Sequence, residues 1–215
     1  MRLWYYAYMC GAFGFSGFSG SINVQLRYEL NNKPHVRDSY NIRPSMDALV
    51  VTRNSPNTGK ILKFGIKAPW DERQLLINAK SETAAELRSF KTLFHESRCL
   101  IPASHFFEWQ RGEDHKIPFC IKLKTERVFS FAGLHNEEGF VILTTSPNSL
   151  MKPIHSRMPC ILDPDNEDDW LNPDTDIDKL QEMLHPYNPK DMDAYEVSTA
   201  VNSSKSQSEE VVKPV

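Results

Sequence analysis

The 215 residues carry 25 Lys and Arg against 28 Asp and Glu, a formal charge of −3, and 40% of them are hydrophobic. This is the profile of one soluble globular domain, long enough to bury a core without disulfide staples. No run of about 18 apolar residues occurs, which excludes a membrane-spanning helix, and no Cys-x-x-Cys pair occurs, which argues against zinc and against a thioredoxin-type redox site.

Arg2 is the only charge in the first twenty residues. The stretch is rich in Tyr, Gly and Ser rather than Leu and Ala, and no A-x-A site follows, so it reads poorly as a signal peptide. A reducing cytoplasm is the expected compartment. Within this stretch stands Met9-Cys10-Gly11. Gly11 and Gly14 give Cys10 an open neighbourhood, whereas Cys99, Cys120 and Cys160 lie in apolar runs and read as small core residues.

Ile22, Leu26 and Leu30 have helical spacing behind a capping Ser21, and Asn31-Asn32-Lys33-Pro34 ends that helix. Ala48–Thr52 and Ile61–Ile66 read as strands joined by a hairpin loop over Asn54–Gly59. Ser81 is placed to cap an amphipathic helix bearing Ala84, Leu87, Phe90 and Phe94. Strands follow at Arg98–Ile101, Phe106–Gln110, Pro118–Leu123, Val128–Leu134, Phe140–Thr144 and Pro159–Leu162, with turns at Gly112–Lys116 and His135–Gly139. A helix at Ile177–Leu184 is stopped by Pro186, and Tyr195–Ser198 forms the final strand. The polar tail beyond Asn202 is expected to be loose. Many strands and few helices predict an α+β fold with a largely antiparallel, barrel-like sheet.

Eight acids lie within residues 163–178, which hold no Lys or Arg. The rest of the chain has 25 bases against 20 acids, so a basic face and an acidic face are as compatible with the charge as a well-mixed surface.

Four residues suggest chemistry. If Met9 were the first residue and were removed, Cys10 would present an α-amine beside its thiol. Such an aminothiol condenses with an aldehyde to an imine and then closes a thiazolidine ring. Glu108 stands between Phe107 and Trp109, where desolvation raises a carboxyl toward acid/base duty; simple strand alternation would instead point it to solvent. His155 beside Arg157 tends to the neutral form, although a structural histidine is the plainer reading. The Asn78 amide is able to orient an amine or an aldehyde oxygen, or to serve an ordinary turn. Arg43, Lys80, Arg88 and Arg157 are candidate phosphate contacts, and Trp70 is a candidate base-stacking platform. Lys80 and Arg88 are expected to share one face of the helical region.

The ordered series is more specific than its members. Met9-Cys10-Gly11, Tyr40-Asn41-Ile42-Arg43-Pro44, Phe64-Gly65-Ile66 with Pro69-Trp70, and Ile77 to Ala84 continue into Arg98 to Ala103, Phe107-Glu108-Trp109, Ile154 to Pro159, Val197 to Asn202 and Lys213-Pro214-Val215. Together they resemble the SOS-response-associated peptidase (SRAP) family of abasic-site processing proteins. The resemblance implies residues 1–8 as an extension that is processed or untranslated, a domain over 9–203, and a tail over 204–215. It implies a monomer without cofactor that senses and shields abasic sites in single-stranded DNA, cytoplasmic and drawn to the nucleoid during damage. Cys10 would form the thiazolidine crosslink, Asn78 would position the reacting groups, and Glu108 would serve peptide removal, crosslinking and reversal. His155 would assist proton transfer at the sugar. Asn41, Arg43, Trp70, Lys80, Arg88 and Arg157 would meet the DNA. The activity expected is that of an autopeptidase and DNA-crosslinking enzyme, with lyase chemistry beside it. The chain departs from the family pattern at Ala12 and Lys80, where arginine is usual. A peptidase acting on other proteins through Cys10 and His155, and a non-covalent single-strand binder, are the alternative readings.

Overall fold

The computed structural model describes residues 10–16, 27–32, 34, 38–113, 115–124 and 128–215. The helix expected over Ser21–Leu30 therefore lies largely outside the described residues. Among the described residues no helix is long and apolar enough to cross a membrane.

The strands are β1 (Phe13–Phe15), β2 (Ser39–Ile42), β3 (Asp47–Thr52), β4 (Ser55–Phe64), β5 (Ile66–Ala68), β6 (Asp71–Leu76), β7 (Asn78–Lys80), β8 (Arg98–Ala103), β9 (His105–Arg111), β10 (Lys116–Leu123), β11 (Phe129–His135), β12 (Gly139–Thr145), β13 (Met158–Pro159), β14 (Ile161–Leu162) and β15 (Met192–Glu196). The α-helices are short: α1 (Ser81–Ala84), α2 (Lys91–Glu96), α3 (Glu167–Leu171) and α4 (Ile177–Glu182). Strands β4, β3, β8, β11 and β12 pair in that order, and β12 returns to β4, which closes a barrel. The ring is antiparallel except where β12 runs parallel to β4. A second sheet, in the order β15-β10-β9-β1-β2, covers the barrel. The α+β, barrel-like expectation holds.

The two sheets meet through aromatic side chains. Phe13 of β1 meets Phe64 and Phe131 edge-on at 5.5 and 5.8 Å, and Phe106 of β9 meets Phe131 at 5.9 Å. Because strand side chains alternate between faces, β9 turns Phe106 into this core and Phe107 with Trp109 to the opposite side. There a second cluster forms with Ala12, Cys120, Val197, Val201, Val211 and Val212. Both faces of β9 are thus covered. Glu108, in register with Phe106, is directed into the protein rather than to solvent, with 2% exposure.

Several expectations change. The hairpin loop contracts: Thr52 pairs with Ser55, so the turn is Arg53-Asn54 and residues 55–59 belong to β4. Ser81 is the first residue of α1 and caps nothing; the extended Lys80 precedes it, without a side-chain cap bond. The single helix foreseen through Phe94 breaks into α1 and α2. Glu86 and Leu87 both donate to Thr83 O, which tightens the chain and leaves Leu87 exposed while Ala84, Phe90 and Phe94 stay buried. The last short strand splits at Cys160, with β13 pairing β12 and β14 pairing β11. The tail is not loose. Val211 and Val212 are buried, Val197 bridges Pro214, and Tyr195 donates to Val212 O at 2.8 Å.

Gly14 is required by a close approach. A Cβ there would collide with the His105 imidazole, whose Nε2 bonds Tyr40 O at 3.0 Å and whose Nδ1 bonds Ser104 Oγ at 2.9 Å. Gly14→Ala is expected to destabilise the chain by about 1–3 kcal/mol through overpacking, read as a lowered urea midpoint. A midpoint equal to that of the parent chain would show that His105 moves aside freely.

Candidate active site

Cys10 and Glu108 are brought together across 98 positions of sequence. The Cys10 N–H donates to Glu108 Oε1 at 2.7 Å, in a buried setting. The covering sheet explains the contact. Phe13 pairs with Phe106, and Phe107 N–H donates to Ala12 O at 2.9 Å, so the residues just before β1 run past Glu108. Cys10 itself has a left-handed backbone, φ +41°, and no exposed surface. The open position expected from its neighbouring glycines is therefore wrong; Cys10 and Gly11 are both buried.

Burial decides the electrostatics. Glu108 is pushed up to about 8 by desolvation, against the hydrogen bonds from the Cys10 and Trp109 amides and the charge of Lys116. It is a carboxyl that holds or releases a proton near neutrality. Burial, helped by the Glu108 charge, also pushes the Cys10 thiol well above its ordinary value. Cys99 and Cys160 are buried and pushed up by the same desolvation, as core cysteines are expected to be.

Asn78 and His155 lie at the end of the barrel where β12 is flanked on both sides. Ile142 to Thr144 pair with Asn78 to Lys80, and Thr144 and Thr145 pair with Pro159 and Met158. The Asn78 Nδ2 is buried and has no hydrogen-bond partner among the described residues. It is a buried donor whose hydrogen bond the described residues do not satisfy. His155 sits half-buried in the loop before β13, lowered by desolvation and by the charges of Arg111 and Lys116. Its Nδ1 lies 3.2 Å from the Arg157 nitrogen and 3.3 Å from the Arg157 oxygen, so the backbone of residue 157 sets that side of the ring in either tautomer. Gln110 Nε2 donates to Pro153 O at 3.0 Å. That bond ties β9 to the His155 loop, with Glu108 and His155 each two residues away from it. Gln110 was not foreseen. Its only sequence signal is its place two positions beyond Glu108, on the same strand face.

The expected DNA contacts separate into two groups. Trp70 is 62% exposed at the tip of the β5–β6 hairpin, and Lys80 and Arg88 are exposed. Lys80 ends a strand and Arg88 follows α1 in a turn, so the shared helix face does not exist. Asn41, by contrast, is fully buried, and its Nδ2 donates to Val201 O and Ser203 O at 3.0 and 3.1 Å. Its amide holds the chain end, which corrects its assignment to DNA. Arg43 donates to Asn41 Oδ1 at 2.8 Å and to Val201 O, and lies 5.1 Å over the Trp109 ring. Arg157 is paired with Glu82 through two bonds, at 2.5 and 2.7 Å. Among the described residues no group of three or more His, Cys, Asp or Glu is placed to hold a metal.

The family model described as SOS response associated peptidase (SRAP) matches residues 9–204. The abasic site processing protein YoqW of Bacillus subtilis is 42% identical over 95% of this chain and 99% of its own length. The abasic site processing protein YedK of Escherichia coli is 27% identical over 96% and 100%. A crystal structure of a protein from Bacteroides thetaiotaomicron superposes with a TM-score of 0.86 at 25% identity, over 96% of this chain and all of that one.

Proposed function

The chain belongs to the SOS response associated peptidase family, and from that premise we propose that it processes abasic sites in single-stranded DNA through a covalent bond to Cys10. The observation that carries this reading is the bond from the Cys10 nitrogen to a buried Glu108 poised to exchange a proton near neutrality.

Two steps use that pair. In the first, water adds its hydroxyl to the Met9 carbonyl carbon and the C–N bond to Cys10 breaks; protonated Glu108 supplies the proton that the leaving nitrogen takes up and regains one from the attacking water. Where translation starts at Met9, ordinary removal of Met9 gives the same product. In the second, the freed amine adds to the aldehyde of the ring-opened deoxyribose. Loss of water gives the imine, the thiol sulfur adds to the imine carbon, and the thiol proton passes to nitrogen. Glu108 takes and returns protons at the nitrogen, and His155 serves the sugar oxygen through Nε2. The unpartnered Asn78 amide holds the aldehyde oxygen. Reversal runs the same steps backwards.

The raised Cys10 thiol disfavours the rival reading of a peptidase acting on other proteins, because that chemistry needs a ready thiolate. The amine-first route needs none. DNA is held by Trp70 stacked on a base and by Lys80 and Arg88 on phosphates. Arg43 and Arg157 join them only by leaving their present partners. The protein acts as a cytoplasmic monomer, recruited to damaged DNA in the nucleoid.

The test is a denaturing gel of single-stranded DNA bearing one abasic site, mixed with protein whose first residue is Cys10. A shifted band is expected that Cys10→Ala abolishes. If no band forms with the amine confirmed free by mass, the covalent reading fails. Binding to undamaged single strands is expected to weaken with salt, by about 0.7 in log K per log salt for each phosphate neutralised. Lys80→Ala and Arg88→Ala should each flatten that slope. An unchanged slope in both variants removes them from the interface.

A further inference from the structure

We propose that Glu82 is a positioning residue that holds His155 in its working orientation through Arg157. The inference rests on the role given to His155 above.

The chain between β12 and β13 is made of turns. Its inner backbone bonds reach no further than Asn148 and Met151, to which Lys152 and His155 donate at 2.9 Å each. The His155 Nδ1 is set by residue 157 alone among its recorded bonds, at 3.2 Å from the Arg157 nitrogen and 3.3 Å from its oxygen. The ring therefore follows wherever Arg157 is held. Arg157 enters β13, where Met158 pairs with Thr145, and its side chain is held as well. Its Nη1 donates to Glu82 Oε1 at 2.5 Å and its Nη2 to Glu82 Oε2 at 2.7 Å, while Nη2 also reaches Thr144 O. Two parallel bonds fix the plane of a guanidinium, which a single lysine ammonium cannot reproduce.

The strut spans the right place. Lys80, two residues before Glu82, pairs with Thr144, and Thr144 pairs on its other side with Pro159, two residues after Arg157. The Glu82–Arg157 pair thus crosses the end of β12 and ties α1 to the segment that enters β13. The Arg157 guanidinium draws the Glu82 carboxyl below its ordinary range, so that carboxyl stays ionised through neutral pH. The other charges facing His155 are Arg111 and Lys116 from β9 and β10. Nothing on those strands takes the place of Arg157 at Nδ1. Both terminal nitrogens of Arg157 are thus engaged inside the protein, and its Nε alone is a buried donor without a partner among the described residues.

Glu82→Ala and Glu82→Gln, made in protein beginning at Cys10, test this. Gln keeps the shape and one acceptor, so it guards against misfolding in the Ala variant. Three readings are taken: the NMR titration and tautomer of His155, the rates of crosslink formation and reversal, and affinity for undamaged single-stranded DNA. In the Ala variant the His155 titration and tautomer balance are expected to shift, and turnover of the crosslink to fall roughly ten-fold as the ring drifts. Affinity for undamaged DNA should not fall, because Glu82 itself meets no phosphate. Arg157→Lys should reproduce the loss, and the Ala and Lys changes combined should be no worse than either alone, because both remove one brace. An unmoved His155 titration overturns the proposal. So does a rise in DNA affinity with normal turnover, which would make Glu82 a competitor for phosphate. If the parent protein forms no crosslink, the functional reading fails, and the His155 titration still decides whether Glu82 holds the ring.

Discussion

Glu108→Gln is expected to leave the chain inert and, above neutral pH, more stable. Glutamine keeps an oxygen to accept from the Cys10 N–H but can neither give nor take a proton, so self-cleavage and crosslinking should slow by roughly a hundred-fold to ten-thousand-fold. The stability change follows from linkage. Glu108 is raised from 4.5 in the unfolded chain to about 8 in the fold. At pH 4 both states hold the proton and the group contributes no difference. As pH rises past 4.5 the unfolded chain ionises while the fold keeps its proton, and stability is lost until the folded group ionises near 8. At pH 8.5 the buried charge costs on the order of 4 kcal/mol, and glutamine removes that cost. Urea midpoints of the 215-residue chain at pH 5 and pH 8.5 check this. The variant should match the parent at pH 5 and exceed it clearly at pH 8.5. In the parent, self-cleavage should also decline as pH rises through 8, because the proton donor is lost. A variant that is weaker at both pH values would mean that Glu108 is ionised throughout and acts as a structural anchor.

Much of this arrangement could be read from the residues. The strands from 98 to 145 are marked by β-branched and aromatic runs with turn residues between them, and they fold where the pattern places them. Glu108 was legible for the same reason, since a carboxyl flanked by Phe107 and Trp109 is desolvated whichever face it takes once both faces are packed. What alternation alone could not supply was the second cluster. A lone strand with one wet face would have turned Glu108 outward. The contact between Cys10 and Glu108 is hidden in the sequence because β9 lies nearly a hundred positions away. Glu82 and Arg157 are ordinary surface charges by sequence; only the pairing of β12 with both β7 and β13 makes them neighbours. The broken helix after Ser81 carries no proline or glycine to announce it. The burial of Phe90 and Phe94 overrides a helical pattern that would have kept Leu87 on the same face.

The polar tail was misread because composition outweighed two residues in it, Val211 and Val212, and the prediction with the second largest effect follows from them. Ending the chain after Asn202 is expected to cost on the order of 4 kcal/mol, about 2 for each valine returned to water. Asn41 would also lose the Ser203 carbonyl, and its own carbonyl would lose the Gln207 amide bonded at 2.7 Å. A lowered urea midpoint measures the loss, and replacing Val211 and Val212 together by Ser should reproduce most of it. The chemistry should suffer beyond the stability. The tail packs on Phe107 and Trp109, the residues on either side of Glu108. Removing their support loosens β9 from behind, and the 2.7 Å contact to Cys10 depends on where β9 lies. At low temperature, where the shortened chain is still fully folded, crosslinking should therefore remain slower than in the intact protein. A shortened chain with an unchanged midpoint and an unchanged rate would place the support of Glu108 wholly within the barrel. Slower chemistry at full folding would mean that the last thirteen residues, which touch neither Cys10 nor His155 by any recorded bond, help set the proton donor from the far side of its own strand.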